Sequence, residues 1–330
     1  MFKDRYTYRE NLTEVIVQHF VTEKKVRIKC KDLIQNLSLY KNKLAVQLSD
    51  RVCIYESSPD NLEDMHFRLR KEKIIIQDFS SKDHAYRTHI VITAMHLLFG
   101  CGKVLELYSF DGQRVRVWTF DADISFLKVD GGPSGCEGVL IGLESGQVAK
   151  VFVNNPFPLE LYKLSHGIKQ LDINIYRTII AAVDSSNTLT LTDLRTQIVL
   201  HTSSGITSAC FNTEVEDLLC LTSVDSSILV LTLTSITKPD PSGQPKAAEL
   251  QEQHIYGLTL GYRGQKIFCL YRGTVIGVDV PQGHNIQRAL ESNDITTAYK
   301  IACLGATEAE WKLVGNAVPN LPPIHHCTSL

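Results

Sequence analysis

Residues 168–202 constrain the fold of this chain most strongly, because they contain four short strand-like segments separated by tight polar turns. In the first segment the apolar side chains recur at every second position, which is the spacing of a half-buried strand. The second segment, residues 179–183, is apolar throughout, as expected for a strand covered on both faces. The turn that follows begins at Asp184, and its short polar side chains can hydrogen-bond to their own backbone. We interpret the stretch as one four-stranded antiparallel sheet.

A sheet of this size cannot bury both of its faces alone, so the same unit should recur along the chain. Inner strands of such units begin at six positions with a mean spacing of about 44 residues, within the range of roughly 40–45 typical of WD-type blades. These positions lie near Ile34, His89, Ile124, Ile168, Ile206 and Tyr256. The recurrence predicts an all-β fold, a WD40-like β-propeller of about six to seven blades over residues 1–282.

The repeats depart from the WD signature. Asp193 stands where a WD repeat carries the aspartate of its Trp-Asp pair, but Thr192 replaces the tryptophan. The Gly-His pair of such repeats occurs only at Gly283 and His284, beyond the last predicted strand. The propeller is therefore predicted from the spacing of its strands and not from signature residues.

Both ends of the predicted propeller are irregular. Residues 14–21 and 25–30 predict a strand pair, but no inner strand is recognisable before them, so we expect the chain to begin within a blade. After residue 282 the apolar period changes to that of a helix. Residues 283–313 are therefore predicted to be helical, and residues 314–330, which contain three prolines, to be a divergent, disordered tail.

Composition excludes several classes of protein. Apolar residues make up 44% of the 330, an ordinary value for a soluble globular fold, and the formal net charge is −2. This near-neutral balance gives no overall electrostatic case for binding nucleic acid. The nine cysteines include no C-x-x-C pair, and most lie in apolar strand patterns, so we expect reduced thiols in a cytosolic protein.

No constellation of catalytic residues is recognisable in the sequence. The glycine-rich loop 130–138 lacks the Lys-Ser/Thr pair of a phosphate-binding loop, and no helix follows it, so we expect a flexible connection between strands. His325, His326 and Cys327 lie together in the proline-rich tail without a fourth metal ligand. The chain is therefore predicted to be a non-enzymatic protein with no cofactor and no metal.

One charge pattern stands out. Basic side chains alternate with apolar ones from residue 25 to residue 31, which places the basic ones on one face of an outer strand, and two arginines lie in the outer strand predicted for the next blade. We call these six residues the basic strip: Lys25, Arg27, Lys29, Lys31, Arg68 and Arg70. Two interpretations stay open. The charges protect a strand edge from aggregation, or they bind an acidic partner or an acidic membrane surface.

Four stretches of the chain resemble the intraflagellar transport protein 122 family of WD-repeat proteins. They are KDRYTYRENLTEVIVQHFVTEKKVRIKCKDL, VDGGPSGCEGVLIGLESGQVAKVFV, FNTEVEDLLC and AYKIACLGATEAEW, and the resemblance extends over residues 2–313. It implies the second propeller of a tandem pair, followed by the start of a tetratricopeptide-like solenoid at residues 283–313. The family has a further propeller before Met1, and its helix continues where this chain reads VGNAVPNLPP, so we expect a fragment or a truncated isoform.

The resemblance also implies a function. The family belongs to intraflagellar transport complex A, so we expect a scaffold subunit that acts in retrograde ciliary transport, cilium assembly and delivery of membrane proteins to cilia. The implied partners are other complex A subunits and adaptors for ciliary membrane-protein cargo. The implied locations are the cilium, the basal body at its base, the cytoplasm and the cytoskeleton. The alternative is a vesicle-coat-type trafficking scaffold, which also joins a propeller to a solenoid.

Overall fold

The computed structural model describes residues 5–19, 22–58, 65–73, 88–233, 250–272, 274–291, 293–303 and 305–317. The chain folds into seven antiparallel sheets, which are the blades of a β-propeller, and the last sheet is followed by helices. Two compact units, Met1–Ala209 and Cys210–Leu330, divide the chain within the first strand of blade 6. The predicted all-β propeller is confirmed, with seven blades.

The first unit contains blades 1 to 5 and the beginning of blade 6. Blade 1 consists of β1 (Arg5–Arg9), β2 (Glu14–His19) and β3 (Lys25–Lys29), and blade 2 of β4 (Asn36–Tyr40), β5 (Lys43–Gln47), β6 (Val52–Glu56) and β7 (Arg68–Lys73). Blade 3 consists of β8 (Thr88–Ile92), β9 (His96–Cys101), β10 (Val104–Ser109) and β11 (Arg114–Thr119). Blade 4 consists of β12 (Ile124–Gly131), β13 (Gly138–Leu143), β14 (Gln147–Phe152) and β15 (Leu159–Lys163). Blade 5 consists of β16 (Ile168–Ile173), β17 (Ile179–Asp184), β18 (Thr188–Asp193) and β19 (Val199–Ser204).

The second unit contains the rest of blade 6, blade 7 and the helices. Blade 6 consists of β20 (Ile206–Phe211), β21 (Leu218–Ser223), β22 (Ser227–Thr232) and β23 (Leu250–Tyr256), and blade 7 of β24 (Leu258–Arg263), β25 (Lys266–Tyr271) and β26 (Thr274–Asp279). The helices are α1 (Gly283–Glu291), α2 (Ile295–Cys303) and α3 (Glu308–Ala317).

The apolar runs of the sequence fill the space between neighbouring blades. The first strands of blades 2 to 7 start within two residues of the six predicted positions, so that prediction is confirmed. Every residue of β17, which contains the continuously apolar run 179–183, is buried. Between blades 4 and 5, Leu140 and Val148 pack against Ile168 and Ile180. Full burial of one such side chain contributes about 1.5–3 kcal/mol, so these contacts hold the blades together.

A carboxylate organises the turn between the second and third strands of blade 5. Asp184 Oδ1 accepts hydrogen bonds from the backbone N–H groups of Ser186 (2.9 Å) and Thr188 (2.8 Å), which confirms the predicted turn. Asp184 Oδ2 also lies 3.4 Å from His166 Nδ1, in the connection that enters the blade. Burial opposes ionisation of Asp184, but the hydrogen bonds from Ser186 and Thr188 outweigh it, so the pKa of this carboxyl lies below its usual value.

Blade 1 contains a strand that the sequence analysis missed. β1 pairs with β2 along its whole length, so the prediction that no inner strand precedes residue 14 is wrong. The strand was hidden by Arg5, whose type is rare in buried strands, although this side chain is only 3% exposed. Its burial is possible because Nη1 donates to Ser57 Oγ at 3.0 Å and the guanidinium lies 5.7 Å from the centre of the Phe67 ring.

β1 occupies the second position of its blade and not the innermost one. Where β11 leads into blade 4, Ile124 N donates to Gly102 O, in the turn between the second and third strands of blade 3. Where β3 leads into blade 2, Ile34 N donates in the same way to Leu12 O, in the turn between β1 and β2. β1, β2 and β3 therefore correspond to the second, third and fourth strands. Among the described residues no strand fills the innermost position of blade 1, so the described part of this blade has three strands.

The three helices pack around a small core of their own. That core consists of Ile286, Ala289, Ala298, Ile301, Ala302 and Val314. Thr307 opens α3 with a capping box, in which Glu310 Oε2 accepts from Thr307 N at 2.6 Å. The assignment of residues 283–313 to a solenoid stays a prediction, and α3 continues past it to Ala317. Residues 318–330, most of the predicted tail, lie outside the described residues.

No helix in the described ranges is long and apolar enough to cross a membrane.

Candidate interaction surfaces

The basic strip begins on β3, the outermost strand of blade 1. Lys25, Arg27 and Lys29 are exposed and share one face of the strand, opposite Gln18, Ile16 and Glu14 of β2. Lys31 is also exposed but follows the end of β3, so it does not belong to that face. The pairing register therefore places three of the four basic residues side by side.

Acidic side chains neutralise part of this charge. Arg27 Nη2 lies 2.9 Å from Glu10 Oε2, and Lys29 Nζ lies 3.5 Å from Glu14 Oε1. Exposed ion pairs of this kind contribute only about 0–1 kcal/mol to stability. The β3 face is consequently a mixed surface with a small positive excess rather than a purely basic one.

A cleft opens on the same face of blade 1. It has a volume of about 460 Å³ and is bounded by Tyr8, Glu10, Ile16, Lys25 and Arg27. Its wall combines an aromatic ring, an apolar side chain and charges of both signs. Such a wall suits a protein partner better than a small ion, because a partner can bury the ring and pair the charges together.

The other two residues of the basic strip lie on β7, the outermost strand of blade 2. Arg68 and Arg70 are both exposed, and Arg70 forms an ion pair with Glu56, which also pairs with Lys43. Burial opposes ionisation of Glu56, but Lys43 and Arg70 outweigh it and hold the pKa of this carboxyl below its usual value. The strip is thus divided between two blades, and each part is paired with its own carboxylates.

A second surface, which the sequence analysis missed, is an inner cavity of about 210 Å³ in the first unit. The innermost strands of blades 2, 3 and 4 line it, and Tyr40 and Lys128 are among their contributions. Blade 1 contributes Thr7 of β1, its second strand. The absence of an innermost strand from blade 1 among the described residues is what lets Thr7 reach this cavity.

Charged side chains from blades 4 and 5 lie near Tyr40 and Lys128, two of the residues that line the inner cavity. Asp130 pairs with Lys150 of the same blade and accepts from Arg177 Nε of blade 5 at 3.1 Å. Lys128 Nζ donates to Asp172 Oδ1 at 2.6 Å. Burial raises the pKa of Tyr40 to about 12, with Glu137 and Asp130 adding to the rise. The Tyr40 hydroxyl therefore keeps its proton at neutral pH and can donate a hydrogen bond.

The glycine-rich loop 130–138 is held by hydrogen bonds to Glu137 that its composition did not predict. Glu137 is fully buried, and its carboxylate accepts from the backbone N–H groups of Ala94 (3.1 Å) in blade 3 and Gly135 (2.8 Å) in its own loop. A single side chain thus joins two blades. The glycine content alone predicted a flexible connection, and the structure shows a loop that is fixed at Glu137.

Within the described part of the chain, no group of three or more His, Cys, Asp or Glu residues is arranged to hold a metal ion. His325, His326 and Cys327 lie outside the described residues.

Comparison with known proteins assigns this chain to a family. The family model described as IFT122 second beta-propeller matches residues 1–275. Curated relatives named intraflagellar transport protein 122 homolog are 37% identical over 313 residues in Xenopus tropicalis and 38% identical over 312 residues in both Mus musculus and Homo sapiens. Each comparison covers 94% of this chain but only 23–24% of the relative, so the chain spans about a quarter of their length. The chain belongs to the intraflagellar transport protein 122 family, in the region of that family's second β-propeller.

Proposed function

We propose that the chain is a non-enzymatic scaffold segment of intraflagellar transport complex A, acting in retrograde ciliary transport, cilium assembly and delivery of membrane proteins to cilia. The observation that carries the proposal is the family match over residues 1–275. A propeller supports the role physically, because it presents many loops and strand edges on a rigid frame. The scaffold works at the cilium and the basal body, and in the cytoplasm along the cytoskeleton.

The basic strip is the partner-binding surface in this proposal. Lys25 and Arg27 stand beside the cleft on blade 1, where Tyr8 supplies an aromatic anchor. Aromatic and arginine side chains carry much of the affinity of protein interfaces. The partners are other complex A subunits and adaptors for ciliary membrane-protein cargo. An acidic membrane surface is a further ligand that the positive excess of the strip would attract.

Affinity capture tests the scaffold role. The tagged full chain is expressed in ciliated cells, and the co-purified proteins are identified by mass spectrometry. Recovery of complex A subunits, with tag signal at the ciliary base, is the expected result. Recovery of vesicle-coat components without complex A subunits would overturn it in favour of the coat-type scaffold.

A variant set tests the basic strip separately. Arg27, Lys29, Arg68 and Arg70 are changed together to serine, and capture of complex A subunits and binding to acidic vesicles are measured at low and high salt. The matched control changes Arg114 and Arg195, exposed arginines of blades 3 and 5, to serine. Weaker binding for the strip variant alone supports the assignment. Unchanged binding, with folding intact, leaves edge protection as the role of the strip.

A further inference from the structure

The Tyr40 side of the inner cavity presents cations to solvent and keeps carboxylates behind them. The side chains of Asp130 and Asp172 are 2% and 7% exposed, whereas those of Lys128 and Arg177 are 34% and 47% exposed. Charges in contact with solvent act most directly on an approaching ligand. The accessible surface is therefore positive, although both exposed cations have acidic neighbours.

Neighbouring residues add to this asymmetry. Lys41 is exposed, and its Nζ lies 5.3 Å from the centre of the Tyr40 ring. Glu137 is fully buried, and its two oxygens are turned toward backbone N–H groups. The seven described side chains carry four positive and three negative charges: Lys41, Lys128, Lys150 and Arg177 against Asp130, Asp172 and Glu137. The net charge is +1, and every carboxylate of the set is buried.

The loop that carries Arg177 is held in place before any ligand arrives. Arg177 has a φ of 59°, in the left-handed region that arginine seldom adopts, and its guanidinium is anchored on Asp130. The two preceding residues, Ile175 and Tyr176, are 48% and 64% exposed. An anchored arginine beside an exposed aromatic ring loses little conformational entropy on binding, which favours recognition.

The size of the cavity limits what can enter it. Its volume of about 210 Å³ is below the roughly 300–1,000 Å³ of typical small-molecule sites but sufficient for a side chain. Lys150 is recessed, since its side chain is only 12% exposed, and Lys128 is partly covered, at 34% exposed. A narrow peptide side chain can reach recessed cations, whereas the headgroups of a planar bilayer cannot.

We infer that the inner cavity of the first unit binds an acidic, extended segment of a protein partner, with a glutamate or aspartate side chain paired to Arg177 and Lys128. Apolar residues of the segment pack against Ile175 and Tyr176. This site is separate from the basic strip, which lies on the outermost strands of blades 1 and 2.

Fluorescence anisotropy of the full chain tests the inference. The probe is a fluorescein-labelled peptide of about eight residues in which glutamate alternates with tyrosine and glycine, and the comparison peptide has lysine in place of glutamate. The glutamate peptide is expected to bind and the lysine peptide to fail. Raising NaCl from about 0.1 M to about 1 M shortens the Debye length from about 10 Å to about 3 Å, so binding should weaken strongly.

Two variants locate the site. Arg177→Ser should weaken binding of the glutamate peptide about tenfold, since it removes a charge-assisted contact. Lys41→Asn, which keeps a residue type tolerant of the φ of 52° at this turn, should weaken it about threefold and serves if the first variant does not fold. The matched control, Arg195→Ser, removes an exposed arginine from the turn between β18 and β19 and should leave the affinity unchanged.

Several results would overturn the inference. They are failure of the glutamate peptide to bind the wild-type chain, equal binding of both peptides, and equal affinity of the Arg177→Ser and Lys41→Asn variants and the wild type. Vesicles containing phosphatidylserine form a further arm. Binding to vesicles that depends on Arg177, without binding of the peptide, would assign the site to a membrane instead.

Discussion

Blades 5 and 1 are built on the same antiparallel ladder but differ in what surrounds it. Blade 5 has all four strands, and all six residues of β17 are buried. Blade 1 has three described strands, and a cleft of about 460 Å³ opens on one face beside Ile16. The hydrogen-bonded ladder is therefore insufficient to make a sheet into core, which requires packing on both faces.

The two faces of blade 1 show the same contrast within a single sheet. On one face, Val15, Val17 and Ile28 pack against residues of blade 2, Leu44 among them. The opposite face carries the exposed cations of β3 and the cleft. Blade 1 thus packs against a neighbouring blade on one side, whereas its other side combines exposed cations with a cleft beside Ile16, which is itself only 4% exposed.

Paired isoleucine truncations are expected to give the largest difference. Ile180→Ala in blade 5 should lower the free energy of unfolding by about 2–5 kcal/mol, because Ile180 is fully buried between two blades. Ile16→Ala in blade 1 should cost less, toward the lower end of that range, because Ile16 is only 4% exposed but borders the cleft, so its removal enlarges an open space and leaves no closed cavity. Urea unfolding followed by circular dichroism measures both. Equal losses would break the comparison, because they would show that the cleft face is packed in solution.

Two glycine substitutions compare a crowded site, where blade 4 leads into blade 5, with an open site at the end of blade 5. At Gly146, which has a φ of 83°, an added Cβ would clash with Leu164 O and lie 2.7 Å from His166 O. Gly146→Ala should therefore cost about 1–2 kcal/mol for its backbone conformation and about 1–3 kcal/mol for overpacking. Gly205→Ala, with a φ of 75° and no atom within 4 Å of the added Cβ, should cost only the first part. Thermal melts measure the loss of stability in each variant. Equal melting temperatures would show that the backbone around Gly146 accommodates the added Cβ without strain.

The stability that the Asp184 turn of blade 5 contributes should depend on pH. The folded pKa of Asp184 lies below its unfolded value of about 3.9, so the ionised carboxylate stabilises the fold above that value, and the contribution is lost as pH falls through the folded pKa. Asp184→Asn should reduce stability at pH 7 by about 1 kcal/mol, because the amide oxygen can still accept the hydrogen bonds of the turn but is a weaker acceptor than the carboxylate. Urea midpoints of the variant and the wild type should converge as the pH falls below about 3.9. If the difference in urea midpoint stayed the same in acid, the loss of stability would come from the shape of the amide and not from the loss of the charge.

The smallest effect is expected on the exposed face of blade 1. Arg27→Ser and Lys29→Ser should each change stability by no more than about 1 kcal/mol, since Arg27 and Lys29 are 54% and 77% exposed and their ion pairs are screened. The change should shrink further at high salt. Thermal melts at low and high NaCl measure it. A loss comparable with that of Ile180→Ala would show that the charged face is part of the core.

The strands were predictable because buried strands have apolar residues at every second position or in an uninterrupted run. Ile179 to Val183 reads as a strand without any knowledge of its neighbours, and the structure buries all of it. β1 was not predictable in this way, because the burial of Arg5 depends on Ser57, which is 52 residues away. A local pattern cannot report a partner at that distance.

The candidate surfaces were predictable to different degrees. Alternation along one strand was enough to propose the β3 part of the basic strip, but not to find Glu10 and Glu14 beside it. The inner cavity left no signal in the sequence at all. The charged side chains beside it come from different blades, and Arg177 contacts Asp130 across 47 residues of chain. Only the blade arrangement brings such groups together.

The buried Glu137 has a consequence for how the loop 130–138 tolerates change. Composition alone would recommend this glycine-rich loop as a place for inserting a tag or a reporter, since such loops usually accept added residues. The Glu137 carboxylate accepts hydrogen bonds from Gly135 N and Ala94 N. One residue added between Gly135 and Glu137 would change the distance between them and would displace the carboxylate from both N–H groups. A charged group would then be left buried without its hydrogen bonds. For anyone who engineers this chain, the loop is a poor site for grafting.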